Sequence, residues 1–185
     1  MTTALPPLPP DVAELLRAVD APPRLVAHLA LVHEVAGRIV EFCAAEGLLF
    51  DHEAVRYGAA THDIGKAVHP EELSGPGSAH EPAGHALLLA HGVPERLARF
   101  ARTHASWGEP GTTTEDLLVS LADKAWKNKR VRDLEDRVVE RFAAATGRER
   151  WEAFLALDDL LTGIGEGAPR RLALQAAHPV RTGRK

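Results

Sequence analysis

The chain has 185 residues, of which 45% are hydrophobic and 26% charged, the composition of one ordinary globular domain that can bury roughly 70% of its unfolded surface. Bulk disorder and coiled coil are excluded, and a net charge of −4 supplies no global basic field for nucleic acid or a membrane surface. One cysteine, Cys43, excludes an internal disulfide framework and fits a reducing compartment.

The first ten residues, MTTALPPLPP, lack the basic and apolar regions of a signal peptide, and four prolines make residues 1–10 a disordered, extended arm. Alanine, leucine, arginine and glutamate then dominate, and β-branched alternation is nearly missing, so the chain reads as all-α. A short helix is expected at about 11–19. Pro22 and Pro23 open a long helix that ends near Gly47, and a third covers about 53–66. After the SGPGS loop at 74–78, helices follow from Pro82 to His91 and from Pro94 to His104. Thr112–Thr114 can cap the next helix, which carries LLVSLADKAW. Helices at about 133–145, 148–161 and 169–177 complete the set, with GIGEGAP at 163–169 as the last loop. Residues 178–185 form a frayed basic tail, leaving one domain over 11–177. No stretch approaches the roughly 18 apolar residues of a membrane span, and the expected location is cytoplasmic. The helix carrying Trp151, Phe154, Leu155 and Leu157 reads equally as core or interface, so oligomeric state stays open.

Ten histidines stand against one tyrosine and one methionine. Histidine is the commonest metal ligand and a frequent proton carrier. On the second helix Val26, Leu29, His33, Ala36 and Val40 form one stripe at spacings of three and four, so His33 points inward and His28 lies off the stripe. Leu97, Phe100 and His104 form a similar stripe. For either residue alone, a core histidine satisfied by a hydrogen bond is the simpler account.

In THDIGK at 61–66, His62 and Asp63 follow the small run Gly58, Ala59, Ala60, which permits close backbone packing. A buried aspartate needs a partner, and a metal ion is one. Imidazole with carboxylate suits manganese, iron, cobalt, nickel or zinc, with magnesium also admissible. Asp123, in LADKAWKNKR, interrupts an apolar helix; it is either a ligand or a surface aspartate paired with Lys127. Lys124, Lys127, Lys129, Arg130 and Arg132 follow it, and Lys127 and Arg130 fall one and two turns beyond Asp123 on the same face. Cations there suit an anionic substrate, although such a run also occurs as a solvated face.

In order, these residues spell His, His-Asp, His, His, Asp. The chain resembles the HD-domain superfamily of metal-dependent phosphohydrolases. The resemblance rests on His33 in LVHEVA, His62 and Asp63 in THDIGK, HEPAGH at 80–85, RTHASW at 102–107 and Asp123 in LADK, and it covers about residues 22–132. It implies an all-α HD bundle of about seven to nine helices. By the same resemblance His33, His62, Asp63 and Asp123 hold a first metal, Asp63 bridges to a second, and His80 and His104 complete that second site. His85 is the runner-up to His80, because Gly84 stands four residues after His80 as in the family's His-x-x-x-Gly element. Lys66 matches the basic residue that follows the HD pair. The other histidines (His28, His52, His69, His91 and His178) are expected to be structural or solvated.

The implied chemistry is hydrolysis of a phosphoester or phosphoanhydride, with one or two divalent ions activating water. Lys66, with Lys127 or Arg130, would bind the negative charge of a small phosphorylated, nucleotide-type substrate. Asp63, Lys66, His80 and His104 are the catalytic candidates, His80 or His104 as acid to the leaving group if the second ion is absent. Nucleic acid is disfavoured as a partner by the charge. Two other readings stay open: a mixed-valent di-iron oxygenase on the same ligands, and a non-catalytic nucleotide-binding regulatory module.

Overall fold

The computed structural model describes residues 4–180; the expectations for residues 1–3 of the arm and 181–185 of the tail fall outside the described residues. Among the described residues every regular element is helical. The α-helices are α1 (Pro10–Ala18), α2 (Pro23–Ala45), α3 (His52–Thr61), α4 (His80–Ala90), α5 (Glu95–Ala98), α6 (Phe100–Thr103), α7 (Thr114–Ala125), α8 (Arg132–Thr146), α9 (Arg150–Gly165) and α10 (Ala168–Ala176), and two 3-10 turns lie at Ile64–Ala67 and Pro70–Leu73. α5 and α6 are one run broken by a turn at Arg99, which leaves nine helices in the described residues.

Local chemistry sets most of these boundaries. Pro23 opens α2 without spending an amide that the helix needs. α7 starts on a capping box in which Thr113 and Asp116 satisfy each other's backbone N–H groups. α8 stops at Gly147, whose φ of 70° is open to glycine at little cost.

α2 is the central rod and packs against α3, α7 and α10. The main core joins Val35, Ile39, Val55, Phe100, Leu118, Leu121 and Phe142, and each buried side chain of this size contributes about 1.5–3 kcal/mol. A smaller cluster (Val12, Leu16, Leu25, Leu29, Ile64, Leu88) fastens α1 and α4 to the other end of α2. The small run Gly58, Ala59, Ala60 earns its place here: a Cβ on Gly58 would lie 2.7 Å from the Phe100 ring and 2.9 Å from Val119. α3 is thereby drawn against α6 and α7, and its C-terminal end carries the His-Asp pair.

Four expectations need correction. The third helix ends at Thr61, not Lys66, and THDIGK continues as a turn and a 3-10 segment. The helix expected from Pro82 starts at His80, because the Glu72 carboxylate accepts from the amides of Ala79 and His80 and caps it from outside. GIGEGAP is not a loop: α9 runs through Gly165 and α10 starts at Ala168. Gly165 is needed for close packing, since a Cβ there would sit 2.8 Å from the Asn128 amide carbon. The start of the tail is tied down, with Arg24 donating to the carbonyls of Ala176 and His178. On α9, Leu157 is core, whereas Trp151, Phe154 and Leu155 are exposed. No helix among the described residues is long and apolar enough to cross a membrane.

Candidate metal centre

Six buried side chains meet where α2, α3 and α7 face α4 and α6. His28 comes from α2, His62 and Asp63 from the end of α3, Asp123 from α7, His80 from the first position of α4, and His104 from the end of α6. They form two groups of donor atoms, His28–His62–Asp63–Asp123 and Asp63–His80–His104. In the first, His28 Nε2 lies 3.0 Å from Asp63 Oδ2 and 3.9 Å from Asp123 Oδ1. His62 Nε2 lies 3.6 Å from Asp63 Oδ2, 3.4 Å from Asp123 Oδ1 and 3.4 Å from His28 Nε2. In the second, Asp63 Oδ1 lies 3.0 Å from His80 Nε2 and 3.5 Å from His104 Nε2. Asp63 thus gives one oxygen to each group.

The outer ring nitrogens fix the tautomers. His62 Nδ1 is 3.0 Å from the carbonyl of Ala59, and His104 Nδ1 is 3.1 Å from that of Phe100. A carbonyl only accepts, so both Nδ1 atoms carry hydrogen and both Nε2 lone pairs face inward. His80 Nδ1 contacts the Glu72 carboxylate, which selects the same tautomer. His80 Nε2 is buried with no hydrogen bond of proper geometry, although Asp63 Oδ1 is near. Acceptors that converge this closely make a place for a cation, beyond the Lys66 and Lys124 ammonium groups at the edge. Donors held about 2.0–2.2 Å from one ion stand roughly 3.0–3.6 Å apart, and the mixed nitrogen and oxygen set suits a divalent transition metal. The residues therefore fit a metal ion, and imidazoles bonded through Nδ1 to carbonyl or carboxylate are the usual outer shell of such sites.

The electrostatics agree. Burial favours the neutral form of both acids, yet the surrounding imidazoles hold Asp63 well below the ordinary carboxylate range, and the closeness of His62 and Lys124 does the same for Asp123. Burial lowers His104 to about 4. It is neutral at pH 7, and its one ring hydrogen, on Nδ1, points to the Phe100 carbonyl and not into the site. Burial likewise lowers His28. His80 is raised: burial opposes its charge, but Asp63 and Glu72 outweigh that.

The expected residues divide clearly. His62, Asp63, Asp123, His80 and His104 are brought together, and His33 is not. It sits half-buried on α2 under the field of Arg56, and His28 occupies the position assigned to it. His85 pairs instead with Glu95 at 2.7 Å. Lys66 Nζ lies 2.6 Å from Asp63 Oδ2, since the 3-10 turn stacks residues three apart. Lys124, one of the basic run but not singled out, lies 2.5 Å from Asp123 Oδ2. Lys127 feels the charges of Asp123 and Asp63, and burial lowers it. Arg130 does not reach the site: it bonds Glu135 and Asp158. The reason is that α7 ends at Ala125 and Asn128 turns the chain at φ 57°, which ends the helical face assumed for Arg130.

Sequence reasoning missed His28, Lys124 and Glu72. The available signal for His28 was a second apolar stripe on α2, Val32, Val35 and Ile39, which continues from it at helical spacing. Glu72 gave no signal, because its partner is eight residues away across a loop.

Such a fold, with a His-Asp pair closing a buried metal-type cluster, defines a class of helical metal-site proteins. The family model described as HD domain matches residues 26–125, more than half of the chain, and the protein belongs to the HD-domain family. No curated protein and no solved structure matches it.

Proposed function

We propose that the protein is a cytoplasmic, metal-dependent phosphohydrolase that cleaves a phosphoester or phosphoanhydride bond of a small nucleotide-type substrate. The observation that carries this reading is the division of Asp63, one oxygen in each donor group, with the Lys66 and Lys124 ammonium groups at the edge. In this reading His28, His62, Asp63 and Asp123 hold one ion, and Asp63, His80 and His104 hold a second. Divalent ions so placed activate water near neutral pH and polarise phosphoryl oxygens.

The chain's own groups do the rest. Lys66 and Lys124 are both partly exposed, so each can orient its aspartate and offer N–H donors to a phosphoryl oxygen. Lys127, half-buried beside Asp123, adds positive charge on the same side. The edge-on packing of His28 against Trp126, with ring centroids 5.0 Å apart, holds the His28 ring in place on the inner wall. His104 stays neutral and keeps its lone pair inward. The free, buried Cys43 supports a reducing compartment.

A panel of nucleotides assayed with manganese, cobalt, nickel and magnesium against a chelator control tests the reading. Phosphate release that returns with metal and is absent with chelator is expected. Release that is indifferent to chelator, or none across all metals, counts against it.

A further inference from the structure

We infer that Glu72 is a positioning residue: its carboxylate holds His80 and so sets the affinity of the second ion without touching that ion. The inference rests on the two-ion reading above. Glu72 belongs to neither donor group. Its side chain is nevertheless buried to within 7% exposure against His80. One oxygen accepts from the Ala79 amide at 3.0 Å; the other accepts from the His80 amide at 3.2 Å and from His80 Nδ1.

The need for such a partner follows from where His80 stands. His62 and His104 sit at helix ends, and each bonds a carbonyl three or four residues earlier in its own helix. His80 is the first residue of α4. No helical turn precedes it, so its outer nitrogen has no carbonyl of its own helix to meet and takes an acceptor from outside the helix. Glu72 supplies it, and a carboxylate makes the inward nitrogen a stronger ligand than a carbonyl does. The loop between them is shaped to the contact: a Cβ on Gly77 would lie 2.5 Å from the Glu72 carboxyl carbon. No outer atom of the first group touches Glu72, so the effect is confined to the second ion.

The test is a manganese titration of the metal-stripped full chain, followed by equilibrium binding and by the magnetic coupling between paired ions. In Glu72→Ala the second ion is expected to bind about 10–100-fold more weakly, with the first unchanged and the coupled signal lost. Glu72→Gln keeps the shape and one acceptor but no charge, and is expected to lose about 10-fold; it also reports if the alanine variant does not fold. A residue that only caps α4 would lower the melting temperature and leave the ratio of the two affinities unchanged. Wild type binding two ions, with either variant matching it or weakening both ions equally, overturns the inference and leaves the two-ion reading standing. Wild type binding one ion overturns the two-ion reading and the inference with it.

Discussion

His28 Nε2 lies 3.0 Å from Asp63 Oδ2, whereas His33, on the same helix, lies outside the cluster. Five residues along a helix turn the side chain by about 140°, so the two cannot share one centre. His28→Ala is therefore expected to lose the first ion by more than about 100-fold, beyond the loss typical of an outer-shell partner. His33→Ala keeps it. Metal content after dialysis checks both; retention in the first variant and loss in the second would restore His33 as the ligand.

The basic run after Asp123 separates in the same way. Lys124→Ala removes a donor at the Asp123 edge of the site, and kcat/KM is expected to fall about 10–100-fold, the worth of one charged hydrogen bond. Arg130→Ala breaks part-exposed pairs to Glu135 and Asp158, costs about 1 kcal/mol of stability, and leaves kcat/KM near wild type. Steady-state kinetics beside urea melts distinguish them.

Gly65 joins the His-Asp segment to α4. A Cβ there would overlap the His80 carbonyl oxygen and come 2.6 Å from the Gly84 amide nitrogen. Gly65→Ala is expected to lose about 1–3 kcal/mol through forced displacement of α4 and to weaken the second ion more than the first. Calorimetry with metal titration reads both. An unshifted melting temperature would mean that the contact is looser than described.

Asp116 makes a pH prediction away from the metal. It accepts from both Arg99 at 2.6 Å and Thr103 at 2.8 Å, as well as from the Thr113 amide. Burial alone would raise it, but these donors outweigh burial and lower its pKa. A folded value below the unfolded one, about 3.9, gives stability that is complete above that pH and is lost as pH falls through the folded value. Asp116→Asn is expected to cost about 2–3 kcal/mol at pH 7, with the gap to wild type closing as pH falls through the lowered folded value. Urea melts along a series from pH 7 into acid check it, and a gap that stays equal throughout would refute the assignment.

Much of the fold was legible because helix period and caps are local. Pro22 and Pro23, Gly47, the cap candidates Thr112–Thr114 and the apolar stripes bound α2 and α7 within a few residues. Of the site, the His-Asp pair, Asp123, His80 and His104 were legible as an ordered pattern. His28 was not, because α2 is buried on nearly all sides and two apolar stripes compete. Lys66 meets Asp63 through a 3-10 turn and not through the helix expected over 53–66, because the chain leaves the helix at Thr61 to turn toward α4. Arg130 was misplaced because the turn at Asn128 depends on packing against α9. Glu72 acts across a loop, and pairings of that kind leave no trace in periodicity.

In the proposed function Asp63 organises a metal site used for phosphate-ester hydrolysis. Metal content and nucleotide phosphate release, measured on the same preparations of wild type and Asp63→Ala, test it most directly. Wild type should carry two divalent ions per chain and release phosphate, while the variant keeps less than one ion and falls about a thousandfold in rate. Asp63→Ala with full metal content and full activity would contradict the account.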